Sequence, residues 1–242
     1  YELAIRHHQA VYGDAPVFER FWHFWGNHFT IVDKNKLPVF NTGPMQRDVI
    51  RHGMAGRFAD LVHDVTISWP MLKSLDNFRS RGPSSPYNVY RKRKGKPPQG
   101  LNENHARELL ELHTVSPDCG YTQEDVINAA NIMTGWGFVR KSGKREHVED
   151  HEVGYNGKVH EPGTHVVMGR KFKPEGFDVK TKGKKQLRDL VEYLSSHESC
   201  RRFISWKLCR HFICDDPTDE MVRMVVDAWD CLLYTSDAAD EK

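Results

Sequence analysis

The sequence predicts a mainly α-helical fold class, and three observations support it. Apolar residues recur at three- and four-residue steps in several segments, and residues that favour helix N-termini precede those segments. Runs of β-like residues are confined to one region. We therefore expect an irregular helical domain that carries a long insert around residues 138–183, either loop-rich or folded as a small β-hairpin.

The first predicted core helix begins at Pro16, a residue that suits the first turn of a helix. Its apolar face consists of aromatic residues at helical spacing: Phe18, Phe21, Trp22, Trp25 and Phe29. Further helices are predicted from Gly43, over residues 57–66 and over residues 70–75. Residues 82–100 combine glycine, proline and a basic run, so we expect a loop there.

Helical signals continue through the second half of the chain. Helices are predicted over residues 102–114, 122–134, 184–195 and 198–213. Thr122 and Asp125 have the spacing of a capping box, and Asp216 with Pro217 suits the start of a last helix. Between these helices, the insert is rich in glycine, proline, lysine and histidine, and only short stretches such as residues 165–168 resemble strands.

Composition excludes several classes of protein. The chain has 242 residues, 38% of them hydrophobic, and its 35 Lys and Arg against 33 Asp and Glu leave a net charge of +2. We expect no transmembrane segment, because no apolar run approaches roughly 18 residues. Global charge gives no reason to expect a nucleic-acid partner. The cofactor is unknown: no nucleotide motif occurs, and a metal is possible in principle but is not indicated by ligand spacing.

The cysteines do not fix a redox compartment. Those that precede residue 231 are Cys119, Cys200, Cys209 and Cys214. They form no C-x-x-C pair, and they have no histidine at zinc-site spacing. Cys209 and Cys214 lie on one predicted helix with a separation beyond the limit of about 7 Å for a disulfide. The disulfide state of all four cysteines therefore stays open.

The last residues depart from ordinary protein sequence. Residues Cys231 to Glu241 read CLLYTSDAADE, which resembles the translation of a sequencing-library adapter joined to a metagenomic gene fragment. We expect residues 231–242 to be an artefactual tail. We expect residues 1–230 to form a single helical domain that is truncated at both ends.

Several segments resemble a bacterial family catalogued as domain of unknown function 1800. The strongest match is GLNENHARELLELHT at residues 100–114, followed by GYTQEDV at residues 120–126 and TGW at residues 134–136. Supporting matches are WGNHF, SLDNFRSRGPSS, HEPGTHVVMGR and RRFISWKLCRHFICDDP. The resemblance implies a mostly helical protein that is often exported to the periplasm or beyond and is often encoded beside sulfatase-like proteins. It implies no catalytic residues, and Ser116 and Cys119 stand where the family usually has glycine.

Three histidines, His28, His113 and His211, point where apolar residues point, and we expect two of them to converge in the main candidate site. At 100° per residue, His113 shares a helix face with apolar neighbours, as does His28 on the first core helix, so both should be buried. Asn102 points the same way as His113, and Glu103 follows it. His28, His113, Asn102 and Glu103 are the candidate catalytic residues, as an acid/base or metal centre. The alternative is that each imidazole pairs structurally with an amide or a main-chain carbonyl.

Acidic residues near His113 do not complete a metal site. Glu111 lies about 160° from His113 around the helix, so the two side chains cannot close on one ion. Glu103, Arg107 and Glu111 are instead spaced as a surface ion-pair ladder, whose pairs contribute about 0.3 to 0.5 kcal/mol each.

Two further groups of residues are candidates for binding. His160 and Glu161 would suit the rim of a site, although the HEPG sequence reads first as a turn. Arg91, Lys92, Arg93 and Lys94 could attract a phosphate or a sulfated glycan, although such runs are usually solvated.

Two functional hypotheses follow. The first is a hydrolase-like or metal-dependent enzyme with a polar site around the GLNENHARELLELHT segment. The second is a non-catalytic binding or scaffold protein outside the cytoplasm that uses its basic loops for an anionic polymer. An anionic glycan or a sulfatase-like neighbour protein is the partner that these hypotheses suggest.

Overall fold

The computed structural model describes residues 2–31, 42–140, 151–175 and 183–237, and within them the fold is mainly α-helical. The first helices are α1 (Glu2–Tyr12), α2 (Pro16–His28), the π-helical α3 (Met45–Arg51), α4 (Phe58–Thr66), α5 (Trp69–Ser74) and α6 (Pro86–Arg93). The later helices are α7 (Asn104–Glu108), α8 (Gln123–Met133), α9 (Lys184–Ser196), α10 (Glu198–Phe212) and α11 (Asp219–Asp237). The helical prediction is thus confirmed.

Helix α2 is the core helix that its aromatic spacing predicts. Trp22, Trp25 and Phe29 are buried, but Phe18 is 37% exposed and lies outside the core. The Phe18 ring instead packs against the guanidinium of Arg51, at 5.0 Å from the ring centroid. Glu19 is 2% exposed, and its carboxylate accepts two hydrogen bonds from the Arg51 guanidinium at 2.7 and 2.8 Å. Such a two-pronged pair satisfies both buried carboxylate oxygens.

Helix α7 does not end as a regular α-helix. Residues Leu109–His113 continue it as a π-helical turn, which we call the π turn. The Thr114 hydroxyl closes the turn by donating to the Leu109 carbonyl at 2.6 Å. A π-helical segment carries more residues per turn than an α-helix, so it shifts the side chains that follow around the axis.

The capping box of α8 forms as predicted. Asp125 accepts hydrogen bonds from the main-chain N–H and the hydroxyl of Thr122, at 2.7 and 2.8 Å, and donates its own N–H to the Thr122 hydroxyl at 3.2 Å. The same carboxylate accepts the Met168 N–H at 2.6 Å. The cap therefore also fixes the insert to the start of α8.

The insert contains two small antiparallel hairpins in its described part. Strand β1 (Trp136–Arg140) pairs with β2 (His151–Tyr155), and β3 (His165–Val167) pairs with β4 (Arg170–Phe172). Met168 and Gly169 join the second pair, with φ values of 47° and 79°. Two consecutive positive φ values are typical of a tight hairpin turn. The small β content predicted for this region is thus confirmed.

The basic run does not lie in the loop predicted over residues 82–100, because α6 occupies the middle of that segment. Ser85 accepts the Asn88 N–H at 3.4 Å as the N-cap, and Pro86 follows at the first helical position. The arginines and lysines fill the last turn, where cations interact favourably with the helix dipole. These end effects outweigh the glycine and proline signals around them.

The last helix begins later than predicted from Asp216. Helix α11 starts at Asp219, and the Thr218 carbonyl accepts the Val222 N–H at 3.1 Å. The Thr218 hydroxyl accepts the Met221 N–H at 3.4 Å, so threonine is the residue that caps the helix.

Ser116 has a strained backbone between the π turn and α8. Its φ of 76° and ψ of 151° lie in a region that glycine adopts easily and other residues rarely adopt. The Ser116 hydroxyl accepts the Asp118 N–H at 3.3 Å, which caps the short 3-10 turn Pro117–Cys119. The conformation explains why glycine would suit this position.

We expect Ser116→Gly to raise the free energy of unfolding by about 1 kcal/mol, because relief of strain exceeds the loss of one weak cap. Ser116→Ala is the matched control. It keeps the strained backbone and loses the hydroxyl, so it should lower the free energy of unfolding by about 0.5 kcal/mol. Urea denaturation measures both values. Equal effects of the two substitutions would contradict the assignment of strain.

Candidate functional site

His28 and His113 meet in the interior. His28 is the last residue of α2 and His113 the last residue of the π turn, and they are 6% and 4% exposed. Their ring centroids lie 6.2 Å apart. His28 Nε2 is 3.1 Å from the His113 carbonyl oxygen. Because a carbonyl can only accept, Nε2 carries a proton and donates it, which leaves Nδ1 of a neutral His28 as an acceptor.

Lys207 of α10 donates a hydrogen bond to that acceptor. Its Nζ lies 2.8 Å from His28 Nδ1, and in the described part of the chain no carboxylate lies within ion-pair distance of Lys207. Burial lowers the pKa of Lys207. Burial also lowers the pKa of His28 well below its ordinary value, and the neighbouring Lys207 and His113 add to the shift. The two nitrogens cannot both be charged at low energetic cost, so the pair shares one positive charge.

His105 extends the group toward the centre of the protein. Its side chain is completely buried, and neither ring nitrogen has a hydrogen-bond partner among the described residues. Burial, with His113 close by, lowers the pKa of His105 to about 3. Burial and the charge of Lys207 lower the pKa of His113 to about 4, and His113 Nδ1 is also without a partner in the described structure. We call His28, His105, His113 and Lys207 the histidine cluster.

Asn102 and Glu103, the other two candidate catalytic residues, make their contacts elsewhere. The Asn102 side-chain oxygen accepts the Asn104 N–H at 3.0 Å, and the main-chain N–H of Asn102 donates to the Ser80 hydroxyl at 3.0 Å. The Glu103 carboxylate accepts hydrogen bonds from Gln123 at 2.6 Å and Arg107 at 3.4 Å. Of the four candidates, the structure brings His28 and His113 together. Asn102 and Glu103 bind residues near the start of α7.

The predicted ion-pair ladder stops after its first pair. Glu103 and Arg107 are 3.4 Å apart, but among the described ion pairs none joins Arg107 to Glu111. Glu111 belongs to the π turn, whose different winding moves its side chain away from the line of the preceding helix.

A cleft of about 500 Å³ adjoins the histidine cluster. We call it the α10 cleft. Phe203 connects the two, because its ring lines the cleft and lies 5.0 Å from Lys207 Nζ. The remaining lining residues are Val115, Ser116, Pro117, Asp118, Cys119, Ser199, Arg202, Trp206 and Val222. The cleft therefore combines an apolar wall with polar groups from the strained turn and from α10.

His160 and Glu161 join parts of the chain rather than line the α10 cleft. His160 is 4% exposed and contacts Thr134 and Gln186, each at 2.9 Å. The Glu161 carboxylate accepts the Ser84 N–H at 2.7 Å. Both residues thus hold the insert against the segment before α6 and against α9.

The basic candidates form one exposed end of α6. Arg91 donates to the Pro97 carbonyl at 2.8 Å, and Lys94 lies 5.9 Å from the ring centroid of Tyr90, which is 60% exposed. Lys92, Arg93 and Lys94 are also exposed. This end of the helix presents cations beside an aromatic ring.

Two residues of the cluster were absent from the candidates predicted from sequence. Lys207 falls about 20° from Cys200 and about 40° from Phe203 around α10, which places a lysine on an apolar face. His105 lies one helical turn before the buried Leu109, in the same segment as the predicted His113. In both cases the signal in the sequence was a charged or polar residue on a helix face that otherwise carries apolar residues.

The described residues contain no group of three or more His, Cys, Asp or Glu side chains placed to hold a metal ion. Cys119, Cys200, Cys209 and Cys214 are free thiols. Among the described helices, none has both the length and the apolar character needed to cross a membrane.

A family model described as "Protein of unknown function (DUF1800)" matches residues 2–231. No curated protein and no solved structure matches the chain.

The cluster makes stability depend on pH. Its three histidines are held neutral by lowered pKa values in the folded chain, whereas each binds a proton near its ordinary pKa of 6.5 once unfolded. The unfolded chain therefore binds more protons below pH 6.5. We expect the free energy of unfolding to fall between pH 6.5 and about 4, by at most about 4 kcal/mol per pH unit for three groups.

Urea denaturation at several pH values measures this slope. His105→Leu should reduce the slope by up to a third, because one proton fewer is taken up on unfolding. His52→Gln, at an exposed position, is the control and should leave the slope as it is. A His105→Leu variant with the parent slope would show that His105 is not held neutral in the folded chain.

Proposed function

We infer the activity of this chain from its own residues, because the chain belongs to the DUF1800 family, whose function is unknown. We propose that it is an enzyme in which the Lys207–His28 pair transfers protons to and from a small organic substrate bound in the α10 cleft. The proposal keeps the acid/base role predicted for His28 and His113, and it adds Lys207, whose ammonium lies over the ring of Phe203, a residue that lines the cleft.

The contact that carries the proposal is the 2.8 Å distance between Lys207 Nζ and His28 Nδ1. A lysine that only solubilises a surface extends into water, and one that only stabilises a fold usually pairs with a carboxylate. Lys207 instead ends against a buried imidazole, where the charged form of either group is disfavoured. Lysines in such surroundings are suited to act as bases or nucleophiles at neutral pH.

The pair is oriented for proton transfer by the main chain. His28 Nε2 donates to the fixed carbonyl of His113, so the imidazole cannot rotate and its Nδ1 stays directed at Lys207. A proton accepted by the Lys207 amine can then be shared with Nδ1 over one hydrogen bond. This arrangement suits proton abstraction from a water molecule in a hydrolytic reaction, or from a hydroxyl group of the substrate.

The lining of the α10 cleft sets the class of substrate. Phe203, Trp206 and Val222 offer an apolar wall, and Ser116 and Arg202 offer polar groups at its edge. Arg202 also pairs with Asp219 of α11 at 2.7 Å, so its guanidinium is held in place beside the cleft. A small molecule with an apolar body and a polar or anionic end fits these surfaces.

The first test measures the protonation of Lys207 in the intact chain. Trace labelling with acetic anhydride over a range of pH, read peptide by peptide by mass spectrometry, gives a midpoint for each amine. We expect Lys207 to become reactive at lower pH than the exposed Lys158, because burial disfavours its ammonium form. His28→Leu should lower the Lys207 midpoint further, because the acceptor for that ammonium is lost.

Turnover gives the second readout. On any chromogenic ester that the parent chain hydrolyses, we expect Lys207→Met to reduce kcat by about 10² to 10⁴. Arg202→Met should chiefly raise KM, because Arg202 lies at the edge of the cleft. Full activity in Lys207→Met, or a Lys207 midpoint equal to that of Lys158, would refute the proposal.

The end of α6 favours a second candidate function, binding of an anionic polymer. The cations involved are Arg91, Lys92, Arg93, Lys94 and Lys96, and none of them has a carboxylate within ion-pair distance in the described part of the chain. Tyr90 and Tyr87 adjoin them, with the Arg91 guanidinium 5.8 Å from the Tyr87 ring. A sulfated polysaccharide would meet both charge and a flat ring at this surface.

For this candidate we expect salt-sensitive binding to heparin. Arg93→Gln combined with Lys94→Gln should weaken binding several-fold in low salt, and the difference should shrink as salt screens the charges. The matched control is Lys171→Gln with Lys173→Gln, which removes two exposed lysines elsewhere. Equal losses in the two double variants would show attraction by net charge alone.

A further inference from the structure

His160 stands at a junction of three parts of the chain, away from the histidine cluster. It lies between β2 and β3, and it contacts Thr134 at the end of α8 and Gln186 in the first turn of α9. Its side chain is 4% exposed. The chemistry of its contacts is unusual, because the polar atoms that the described residues place within hydrogen-bond distance of the ring are all oxygens.

Nδ1 faces two oxygens of Thr134. The Thr134 carbonyl lies at 2.9 Å and can only accept a hydrogen bond. The Thr134 hydroxyl lies at 3.3 Å, but its own proton is donated to the Asn131 carbonyl at 2.5 Å. The hydroxyl therefore presents lone pairs to the ring. Nδ1 satisfies this side only when it carries a proton.

Nε2 faces the side-chain oxygen of Gln186 at 2.9 Å. The orientation of this amide is fixed by its nitrogen, which donates to the Gly163 and Phe172 carbonyls at 3.1 and 3.0 Å. Turning the amide over would place its oxygen against both carbonyls and lose two hydrogen bonds. Nε2 therefore also needs a proton to satisfy its neighbour.

The ring has no room to turn away. A Cβ atom at Gly183 would overlap His160 Nε2 and lie 2.5 Å from the Tyr155 hydroxyl, and Gly183 has a φ of 100°, which favours glycine. Tyr155 packs against the ring at a centroid distance of 5.6 Å. Of the neighbours, the Gln186 side chain is therefore the one that can move when a ring proton is lost.

We propose that His160 is a proton-operated latch, in which the doubly protonated ring holds the end of α8, the insert and α9 together. Because the Thr134 carbonyl belongs to the main chain and cannot turn away, Nδ1 keeps its proton and Nε2 loses it. That loss sets the lone pairs of Nε2 and of the Gln186 oxygen against each other at 2.9 Å. Gln186 then turns away and releases the Gly163 and Phe172 carbonyls, which belong to the second hairpin and its approach. The latch thus couples protonation to the attachment of that hairpin.

Several groups around the ring set where it titrates. Burial lowers the pKa of His160 below its ordinary value, and the hydrogen bonds to Thr134 and Gln186 offset only part of that shift. Among the charged neighbours, Glu161 favours the protonated ring and His165 opposes it. Tyr155 is neutral, because burial raises the pKa of its hydroxyl. The net shift is downward, so the latch closes only in acid, and a change at Gln186 should move its midpoint.

The test is histidine-selective nuclear magnetic resonance on the full chain as pH is varied. We expect two slowly exchanging ring N–H signals from His160 below its midpoint and one above it. Gln186→Leu should move the midpoint to lower pH, because one acceptor for the charged ring is lost. Gln186→Glu should move it to higher pH, because a carboxylate stabilises the charged ring.

Three results are needed for the latch to stand. The midpoint must shift in opposite directions in the two variants. As His160 loses its proton, exchange of the amide protons of the second hairpin must also speed up by more than the acceleration that hydroxide catalysis gives every amide. The exposed His52 serves as control and must titrate alike in every variant. A His160 midpoint that both variants leave in place, or hairpin exchange that ignores the titration, would overturn the proposal. Gln186→Glu alone is decisive if Gln186→Leu does not fold.

Discussion

The imidazole of His28 holds three helical segments at one point. His28 is the last residue of α2. Its Nε2 donates a hydrogen bond to the last carbonyl of the π turn, and its Nδ1 accepts one from the ammonium of Lys207 on α10. The last carbonyls of a helix have no partner within it, so a buried helix end needs a donor from elsewhere. His28 supplies that donor. The positions of α2, the π turn and α10 are therefore mutually dependent, since a shift of any one leaves a buried polar group unpaired.

The π turn makes this junction possible. Leu109–His113 winds more loosely than the helix before it, and the Thr114 hydroxyl and the Ser116 N–H close it by binding the Leu109 and Leu110 carbonyls. The chain then leaves through the strained backbone of Ser116, which forms part of the α10 cleft. The irregular backbone therefore lies in a segment with two roles. The π turn presents its last carbonyl to His28, and Ser116, a few residues later, lines the α10 cleft.

Sequence reasoning succeeded where a residue's environment depends on its own helix. The faces of α2 and α7 and the capping box of Thr122 and Asp125 followed from spacing alone, and the inward direction of His28 and His113 followed from those faces. It failed where the outcome depends on competition between signals. The caps of α6 overrode the breakers around it, and the change to π winding removed Glu111 from the expected ladder.

The partners of Asn102 and Glu103 show a different reason for failure. Both side chains find hydrogen bonds close to where α7 begins, from Asn104, Arg107 and Gln123. Helical periodicity gives the direction of a side chain but not the nearest competing partner. Lys207 was missed for the converse reason: its charge suggested solvent, whereas its position on α10 put it beside Phe203 and the interior.

The two candidate functions differ in how much the residues that would carry them lower the stability of the fold. Ser116 has a backbone that serine rarely adopts, Lys207 is partly buried without a carboxylate partner in the described structure, and His105 keeps two unpaired nitrogens there. All three lie in the histidine cluster or beside the α10 cleft, and each lowers stability by its own mechanism. Proteins retain such local conflicts chiefly where function requires them. The cations at the end of α6 are exposed to water and carry no comparable cost, so their presence needs no function to explain it. A catalytic role for the α10 cleft therefore has stronger support than polyanion binding by the end of α6.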